Sequence, residues 1–305
     1  MMSIEPEIVT EPVKIVQKSD RNIQKIVTYY EDTGLDYGEW SREYNMHFGY
    51  YRFWMNPFVR ETMLNEMNHV VFEHLQLKEE DELIYDLGCG LAAPCRAFAR
   101  KYPGKKIKGI TIVMWQVEKA KELNKNAGLD SNIELVSGDY TKLPFSTGSA
   151  DAVYALESCC HAKGLGKGDF VKEMMRVLKP GKRFVIVDGF IRKEPESFRG
   201  LLRYCYNEVI KGWALPSFPH IGLFAEEIKK AGGNEIEIKD FSFRIAPSAF
   251  HSPFAVVYFL LKKIIQGEKL NKVRLGHLKS CLLGLILGMF RHRFSYCLIT
   301  GIKKI

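Results

Sequence analysis

The chain has no Cys-x-x-Cys pair and no other metal-ligand spacing, although it contains seven cysteines. Their scatter, at 89, 95, 159, 160, 205, 281 and 297, excludes a secreted disulfide framework and fits a reducing compartment. The vicinal Cys159 and Cys160 read as two buried small side chains. There is no G-x-G-x-x-G run and no Gly-Lys-Ser/Thr, so a dinucleotide or a nucleoside triphosphate lacks its usual phosphate loop. Long apolar runs are missing too. The longest in the C-terminal part, "CLLGLILGMF" (281–290), is about half of the roughly 20 residues a spanning helix needs. The opening "MMSIEPEIVTEPVKIVQKSD" is polar and acidic, so no secretory signal is expected. A cytoplasmic location follows as the expectation.

Acids are scarce in one region. The chain carries +8 overall, but residues 241–305 hold eleven Lys and Arg against the single acid Glu268. That segment is +10, which leaves about −2 for the first 240 residues. A basic tail suits anionic lipid head groups or nucleic acid, and equally a solvated helix face.

What is present is a rhythm. At 305 residues and 46% hydrophobic content there is ample material for one large core with an added subdomain. Residues 1–20 read as a leader and 21–82 as helical. From Leu83 the pattern alternates: strands "ELIYDLG", "KIKGITI", "IELVSGD", "ADAVYALES" and "RFVIVDGFI", with helices "PCRAFARKY", "WQVEKAKELNKNAG" and "GDFVKEMMRVL" between them. Such alternation predicts an α/β fold, a Rossmann-like doubly wound and mostly parallel sheet. A helical insertion is expected from 195, then the strand "EIEIKDFSF" pairing antiparallel at the sheet edge. Helices are expected over 250–292, and "YCLITGIKK" reads as a last strand.

Ligands of open parallel sheets bind at the carboxyl ends of the strands. Those ends hold Asp86, Gly88, Cys89 and Gly90; Thr111 and Gln116; Gly138, Asp139 and Tyr140; and Glu157, Ser158 and His161. The glycine loop brings a ligand against bare backbone. Asp86 beside it would repel phosphate and suits a cation or an amine. The set describes a cradle for an adenosine without phosphates.

From about 60 to 192 the chain resembles the class I S-adenosylmethionine-dependent methyltransferases. "YDLGCGLAAP" is similar to their first motif, "SGDYTKLPF" to the aspartate and neighbour that hold the adenine, and "RVLKPGKRFVIVD" to their late helix–turn–strand signature. The resemblance implies S-adenosylmethionine as cofactor, on Asp86, Gly88, Cys89, Gly90, Thr111, Gln116, Gly138, Asp139, Tyr140 and Glu157. "GITIVMWQ" is similar to the Thr–Gln pattern that fatty-acid cyclopropane synthases use for the ribose. "YALESCCHA" resembles the segment after the fourth strand of sterol 24-C-methyltransferases, and tocopherol methyltransferases share the layout. The glycine loop departs from the sterol enzymes at Ala92-Ala93, and beyond about 195 no match is evident. On this reading 21–82 form an N-terminal aromatic lid, 83–192 the cofactor-binding core, and 193–305 a helical insertion, edge strands and a basic helical cap.

Ten aromatics crowd into 29–54: Tyr29, Tyr30, Tyr37, Trp40, Tyr44, Phe48, Tyr50, Tyr51, Phe53 and Trp54. Some must simply pack on the sheet. As a lid they would exclude water and stabilise a carbocation, at roughly 0.5–2 kcal/mol per ring. Tyr29, Tyr37, Trp40, His47, Phe48 and Tyr50 are the expected substrate contacts, and Glu157, His161 and Tyr30 the candidates for proton handling. Glu157 equally suits a hydrogen-bond anchor for the lid. In the tail, Lys262, Lys263, Lys279, Arg291 and Arg293 border apolar helices, a pattern for peripheral membrane contact or for packing on the domain.

The expected function is methylation of a lipophilic small molecule, a sterol or other isoprenoid, at carbon. Alternatives are a quinone, a tocopherol-like phenol or an amine natural product, and a non-catalytic binding module. Nucleic acid is not an expected partner, because the Asn/Asp-Pro-Pro-aromatic motif is missing. Self-association as a homo-oligomer stays open.

Overall fold

The computed structural model describes residues 20–305, so the leader read over 1–20 lies, apart from Asp20, outside the described residues. Seven strands form one sheet: β1 (Leu83–Leu87), β2 (Lys106–Thr111), β3 (Ile133–Ser137), β4 (Ala150–Leu156), β5 (Leu178–Ile191), β6 (Gly233–Asp240) and β7 (Phe294–Lys303). Their order is β3-β2-β1-β4-β5-β7-β6. β1 to β5 are mutually parallel, and β7 runs antiparallel between β5 and β6. Every residue of β4 is buried, as a central strand covered on both faces must be.

The helices are α1 (Arg21–Thr33), α2 (Tyr37–Trp40), α3 (Arg60–Leu75), α4 (Ala93–Lys101), α5 (Met114–Asn126), α6 (Gly168–Val177), α7 (Gly200–Gly212), α8 (Ile221–Lys230), α9 (Ser242–Ala249), α10 (Ser252–Ile265) and α11 (Lys272–Met289). Among the described residues no helix is long and apolar enough to cross a membrane. Chain order reverses between β1 and β4, with β2 on one side of β1 and β4 on the other, and that reversal opens a crevice at their carboxyl ends.

Two expectations need correction. The run 21–82 is not continuously helical. Residues 41–59 form turns, and α3 is a core helix whose Met67, Val70, Val71, Phe72 and Leu75 pack with the sheet. The strand read through "DFSF" stops at Asp240, because the Asp240 carboxylate accepts from Ser242 N at 2.9 Å and starts α9. β6 does pair antiparallel, with β7, at the sheet edge.

Two C-terminal helices meet at close range. A methyl group added at Gly212 of α7 would lie 2.0 Å from Ser280 Oγ and 2.5 Å from the Gly276 carbonyl on α11. Small residues are therefore required at this crossing. Gly212→Ala is expected to lower stability by about 1–3 kcal/mol through overpacking. Gly104→Ala, whose methyl meets nothing within 4 Å, should change it by less than about 0.5 kcal/mol. Urea denaturation of the two variants measures both.

Candidate active site

The loop after β1 turns on Gly88, whose φ of +93° belongs to glycine. A methyl there would sit 2.4 Å from Ser158 Cβ, so the loop is pressed against the end of β4. Gly88 N and Cys89 N both donate to the Ile110 carbonyl at 2.9 Å, which ties the loop to β2. Above it lies a cleft of about 810 Å³. All ten residues expected to bind cofactor line this cleft: Asp86, Gly88, Cys89, Gly90, Thr111, Gln116, Gly138, Asp139, Tyr140 and Glu157.

Their polar atoms are held in definite ways. Asp86 accepts from Tyr154 Oη at 2.9 Å and Cys95 Sγ at 3.3 Å, and burial raises its carboxyl to about 7. Thr111 Oγ1 donates to Gln116 Oε1 at 2.7 Å. That leaves the amide nitrogen of Gln116, a residue lining the cleft, buried without a partner among the described residues. Ser137 Oγ, at the end of β3, is likewise buried and unpartnered. Asp139 Oδ1 caps Thr141 through its N and Oγ1, at 2.8 and 2.7 Å. Tyr140 Oη donates to the Ser158 carbonyl at 2.8 Å.

A second chamber, about 280 Å³, lies between the aromatic segment and helices α9 to α11. Tyr29, Tyr30, Tyr37, Trp40, His47 and Phe48 line it. Tyr50 does not. Its ring packs edge-on against Phe241 at 4.9 Å, with the Arg52 and Arg244 guanidinium groups over it at 5.5 and 5.7 Å. Nor do Tyr51, Phe53 and Trp54 reach the chamber; Phe53 and Trp54 are exposed. His47 lines both cavities, but its ring nitrogens lie against local oxygens, Nδ1 at 2.9 Å from the Phe48 carbonyl and Nε2 at 3.1 Å from Asn45 Oδ1, and a neutral ring donates to one of the two. Burial takes His47 down to about 4, so it is neutral.

Five residues line both spaces: Tyr30, Met46, His47, Glu157 and His161. Glu157 is the hub of this junction. Its backbone has φ +49°, a sparsely populated conformation for a non-glycine residue. Its Oε1 accepts from Phe48 N and from Tyr296 Oη, each at 2.6 Å. Burial pushes the carboxyl up to about 8, against the lowering effect of those two bonds, and nearby Asp188 adds to the rise. Tyr30 Oη lies 3.0 Å from His161 Nε2, while His161 Nδ1 is buried without a partner. Burial brings His161 down to about 4, with Lys167 acting the same way.

Sequence reading missed Asp188, Tyr296, His277 and Trp213, all of which line the chamber. Asp188 lies within β5 and was within reach of the strand-end rule. It accepts from Cys159 Sγ at 3.1 Å and Cys160 N at 3.0 Å, and both cysteines are buried and free. Tyr296 is 139 residues from its partner Glu157, and no local pattern could have linked them.

A methyltransferase-domain family model matches residues 85–186. Over 241 residues the chain is 30% identical to cycloartenol-C-24-methyltransferase of Arabidopsis thaliana, covering 79% of this chain and 69% of that one. The chain belongs to the S-adenosylmethionine-dependent methyltransferases. This methyltransferase is also 31% identical to botryococcene C-methyltransferase of Botryococcus braunii, over 74% of its own length and 58% of the relative's. It shares its fold with a geranyl diphosphate C-methyltransferase from Streptomyces coelicolor A3(2), at a TM-score of 0.69 and 15% identity, over 94% of this chain and 100% of that one.

S-adenosylmethionine is the family's cofactor, and the cleft fits it on its own features. A side chain at Gly88 would close the cradle. Gln116 Nε2 and Ser137 Oγ, on residues lining the cleft, have no partner among the described residues and are polar groups a ligand can satisfy. Asp86, Asp139 and Glu157, the carboxyls at the strand ends of the methyltransferase cleft, suit an amine, hydroxyls and a sulfonium; Arg21, Lys142 and Lys163 line the same cleft.

A cation seated beside Glu157 is expected to make cofactor binding depend on pH. Below about 8 its carboxyl is protonated, and a cation seated at the junction favours the ionised form. S-adenosylmethionine binding must then release a proton, so its affinity rises with pH by up to about tenfold per unit and levels off above the carboxyl's own value. S-adenosylhomocysteine has no sulfonium charge. The affinity ratio of the two ligands, measured by calorimetry from about pH 6 to 9, should climb and then plateau. In Glu157→Gln the climb of the ratio above about pH 7, where Asp86 has already ionised, should be lost.

Proposed function

We propose that this methyltransferase methylates a carbon atom of a lipophilic isoprenoid, sterol-like in class. One observation carries the proposal: the polar cofactor cleft meets an aromatic-lined apolar chamber at a single junction formed by Tyr30, Met46, His47, Glu157 and His161. Named relatives that act on cycloartenol and botryococcene support it.

When bound, S-adenosylmethionine supplies an electrophilic methyl group carried on a charged sulfur. On this reading Asp86, Gly88, Cys89, Gly90, Thr111, Gln116, Gly138, Asp139 and Tyr140 hold it, and Glu157 faces its charge. Tyr29, Tyr30, Tyr37, Trp40 and Phe48 surround the substrate and keep water out. Their ring faces stabilise positive charge on a substrate carbon by about 0.5–2 kcal/mol each. Glu157 takes the proton that must leave that carbon's neighbour, and the Tyr30–His161 pair passes it on. Residues 21–59 serve as the lid, latched through Phe48 N on Glu157.

The substrate of such an enzyme resides in lipid, and we propose that α10 brings the protein to an anionic bilayer. Its inner face, Ser252, Ala255, Val256 and Phe259, lines the chamber. Its outer face carries Phe254, Val257, Tyr258, Leu261, Ile264 and Ile265, all exposed, with Ile265 at 85%. That stripe is apolar from end to end at i, i+3, i+4 and i+7 spacing, and unpartnered apolar faces of this extent mark interaction surfaces. Four of the five cations expected to face lipid are in fact ion-paired: Lys262 with Glu39 at 2.5 Å, Lys263 with Glu268 at 2.8 Å, Lys279 with Glu208, and Arg291 with Asp240 at 3.0 Å. Lys269 and Lys272, just past the end of α10, are exposed and supply positive charge for head groups.

Three measurements test these points. With labelled S-adenosylmethionine and candidate sterols, label should move into the organic-extractable product, and its appearance only in polar fractions overturns the isoprenoid reading. Glu157→Gln should lower kcat by at least about 100-fold while S-adenosylhomocysteine affinity stays within about threefold. In flotation with vesicles containing phosphatidylserine, Phe254→Ser/Ile265→Ser should abolish recovery with the lipid. If the substitution instead changes the molecular mass in light scattering and leaves flotation intact, the stripe is a contact between two copies.

A further inference from the structure

Among the described residues, the side chains lining the chamber are buried or half-buried with two exceptions, Phe250 at 62% exposure and Met289 at 74%. A side chain that borders both the chamber and solvent stands where one opens into the other. Phe250 lies on the two-residue link between α9 and α10, and Met289 is the last residue of α11. The helices α9 and α11 frame one gap. α9 turns Ser242, Ile245, Ala246 and Ala249 to the chamber, at i, i+3, i+4 and i+7 spacing. α11 contributes Cys281, Gly284, Leu285 and Gly288. Both are seated on the start of β7, whose Phe294 and Tyr296 also line the chamber. Ser242 Oγ accepts from Tyr296 N at 2.8 Å, and Phe294 N donates to the carbonyl of Phe290, just past α11, at 2.9 Å. The Arg291 guanidinium, two residues beyond α11, sits 4.2 Å from the centre of the Phe243 ring on α9. The gap has small side chains along both walls, and a methyl added at Gly288 would meet nothing within 4 Å. None of Ala246, Phe250, Gly288 and Met289 lines the cofactor cleft.

We propose that the gap between α9 and the C-terminal end of α11, gated by Phe250 and Met289, is a door of its own for the lipophilic substrate and its methylated product, separate from the cofactor's entrance. The proposal rests on reading the chamber as the substrate site and adds the route into it. A cofactor seated in the cleft closes the junction at Tyr30, Met46, His47, Glu157 and His161, so a substrate that arrives second needs another way in. The door opens beside the outer stripe of α10. Phe254, four residues beyond Phe250, is 76% exposed, and Phe243 on the other flank is 79% exposed. An apolar molecule passing from a bilayer at that face into the chamber crosses little water. Gate residues on a link and at a helix end can swing without disturbing the packed core. A barrier on the path changes the association and dissociation rates by one common factor and leaves their ratio, the affinity, unchanged.

The test follows the fluorescent sterol dehydroergosterol, delivered from cyclodextrin, in stopped flow by energy transfer from Trp40 and Trp213, which line the chamber. Phe250→Ala and Met289→Ala should each raise the sterol's association and dissociation rates together, by about three- to tenfold. Gly288→Leu fills the gap at a helical position that leucine favours over glycine, and should lower both rates by at least about tenfold. Sterol affinity should stay within about threefold in every variant. S-adenosylhomocysteine binding rates, unaltered in all three, report an intact fold and a separate entrance. Sterol should enter protein loaded with S-adenosylhomocysteine as fast as it enters the free protein. Entry blocked by S-adenosylhomocysteine, sterol rates that ignore all three variants, or affinity lost without a matched change in both rates overturns the door. Failure of the wild-type protein to bind the sterol overturns the chamber as a substrate site and the door with it, a separate result from binding that ignores the gate.

Discussion

One carboxyl oxygen joins three parts of this methyltransferase. Glu157 Oε1, at the end of β4, accepts from the Phe48 amide in the aromatic segment and from the Tyr296 hydroxyl on β7, both at 2.6 Å. These bonds span 109 and 139 residues of sequence. They fix the segment over the sheet and close the seam between the cleft and the chamber. The positive φ of Glu157 is the local cost of aiming its carboxyl there, and it persists because the buried β4–β5 pairing on one side and the two hydrogen bonds on the other overdetermine the backbone.

The two spaces on either side of that carboxyl differ as solvents. The cleft is lined by carboxyls and cations together with apolar side chains; the chamber is lined mainly by rings and aliphatic side chains, with acids, histidines, tyrosines and cysteines as its titratable groups. Burial explains the protonation states throughout. Carboxyls rise, Asp86 to about 7 and Glu157 to about 8, and histidines fall, His47, His161 and His277 each to about 4. The junction is thus nearly uncharged before a cation arrives, and low local dielectric lets one arriving charge act strongly on Glu157.

The C-terminal segment uses its charge differently from what composition suggests. Lys262, Arg274, Lys279 and Arg291 neutralise Glu39, Asp36, Glu208 and Asp240, acids that all lie earlier in the chain. Much of the segment's +10 therefore fastens the cap to the rest of the molecule. Its outward character comes instead from the apolar stripe of α10, a helix apolar on the face toward the chamber and on the face toward solvent.

The strand–helix alternation from Leu83 to Ile191, the "DLGCG" turn and the polar residues at the strand ends were legible in the sequence, because each is a local signal: periodicity, a glycine with positive φ, a side chain at a known offset from a strand. They suffice for the fold and for the cofactor cleft, and all ten expected cleft residues line it. Aromatic density marked the chamber but could not sort its rings. Tyr37 faces the chamber and Tyr50 faces Phe241, a difference set by the turns over 41–59 that helical periodicity did not foresee. Tyr296 on Glu157, His277 on Tyr29 and the raised carboxyl of Glu157 were decided by tertiary structure alone. They join residues more than a hundred positions apart or depend on burial, and neither long-range contact nor local dielectric leaves a periodic trace in a chain read residue by residue.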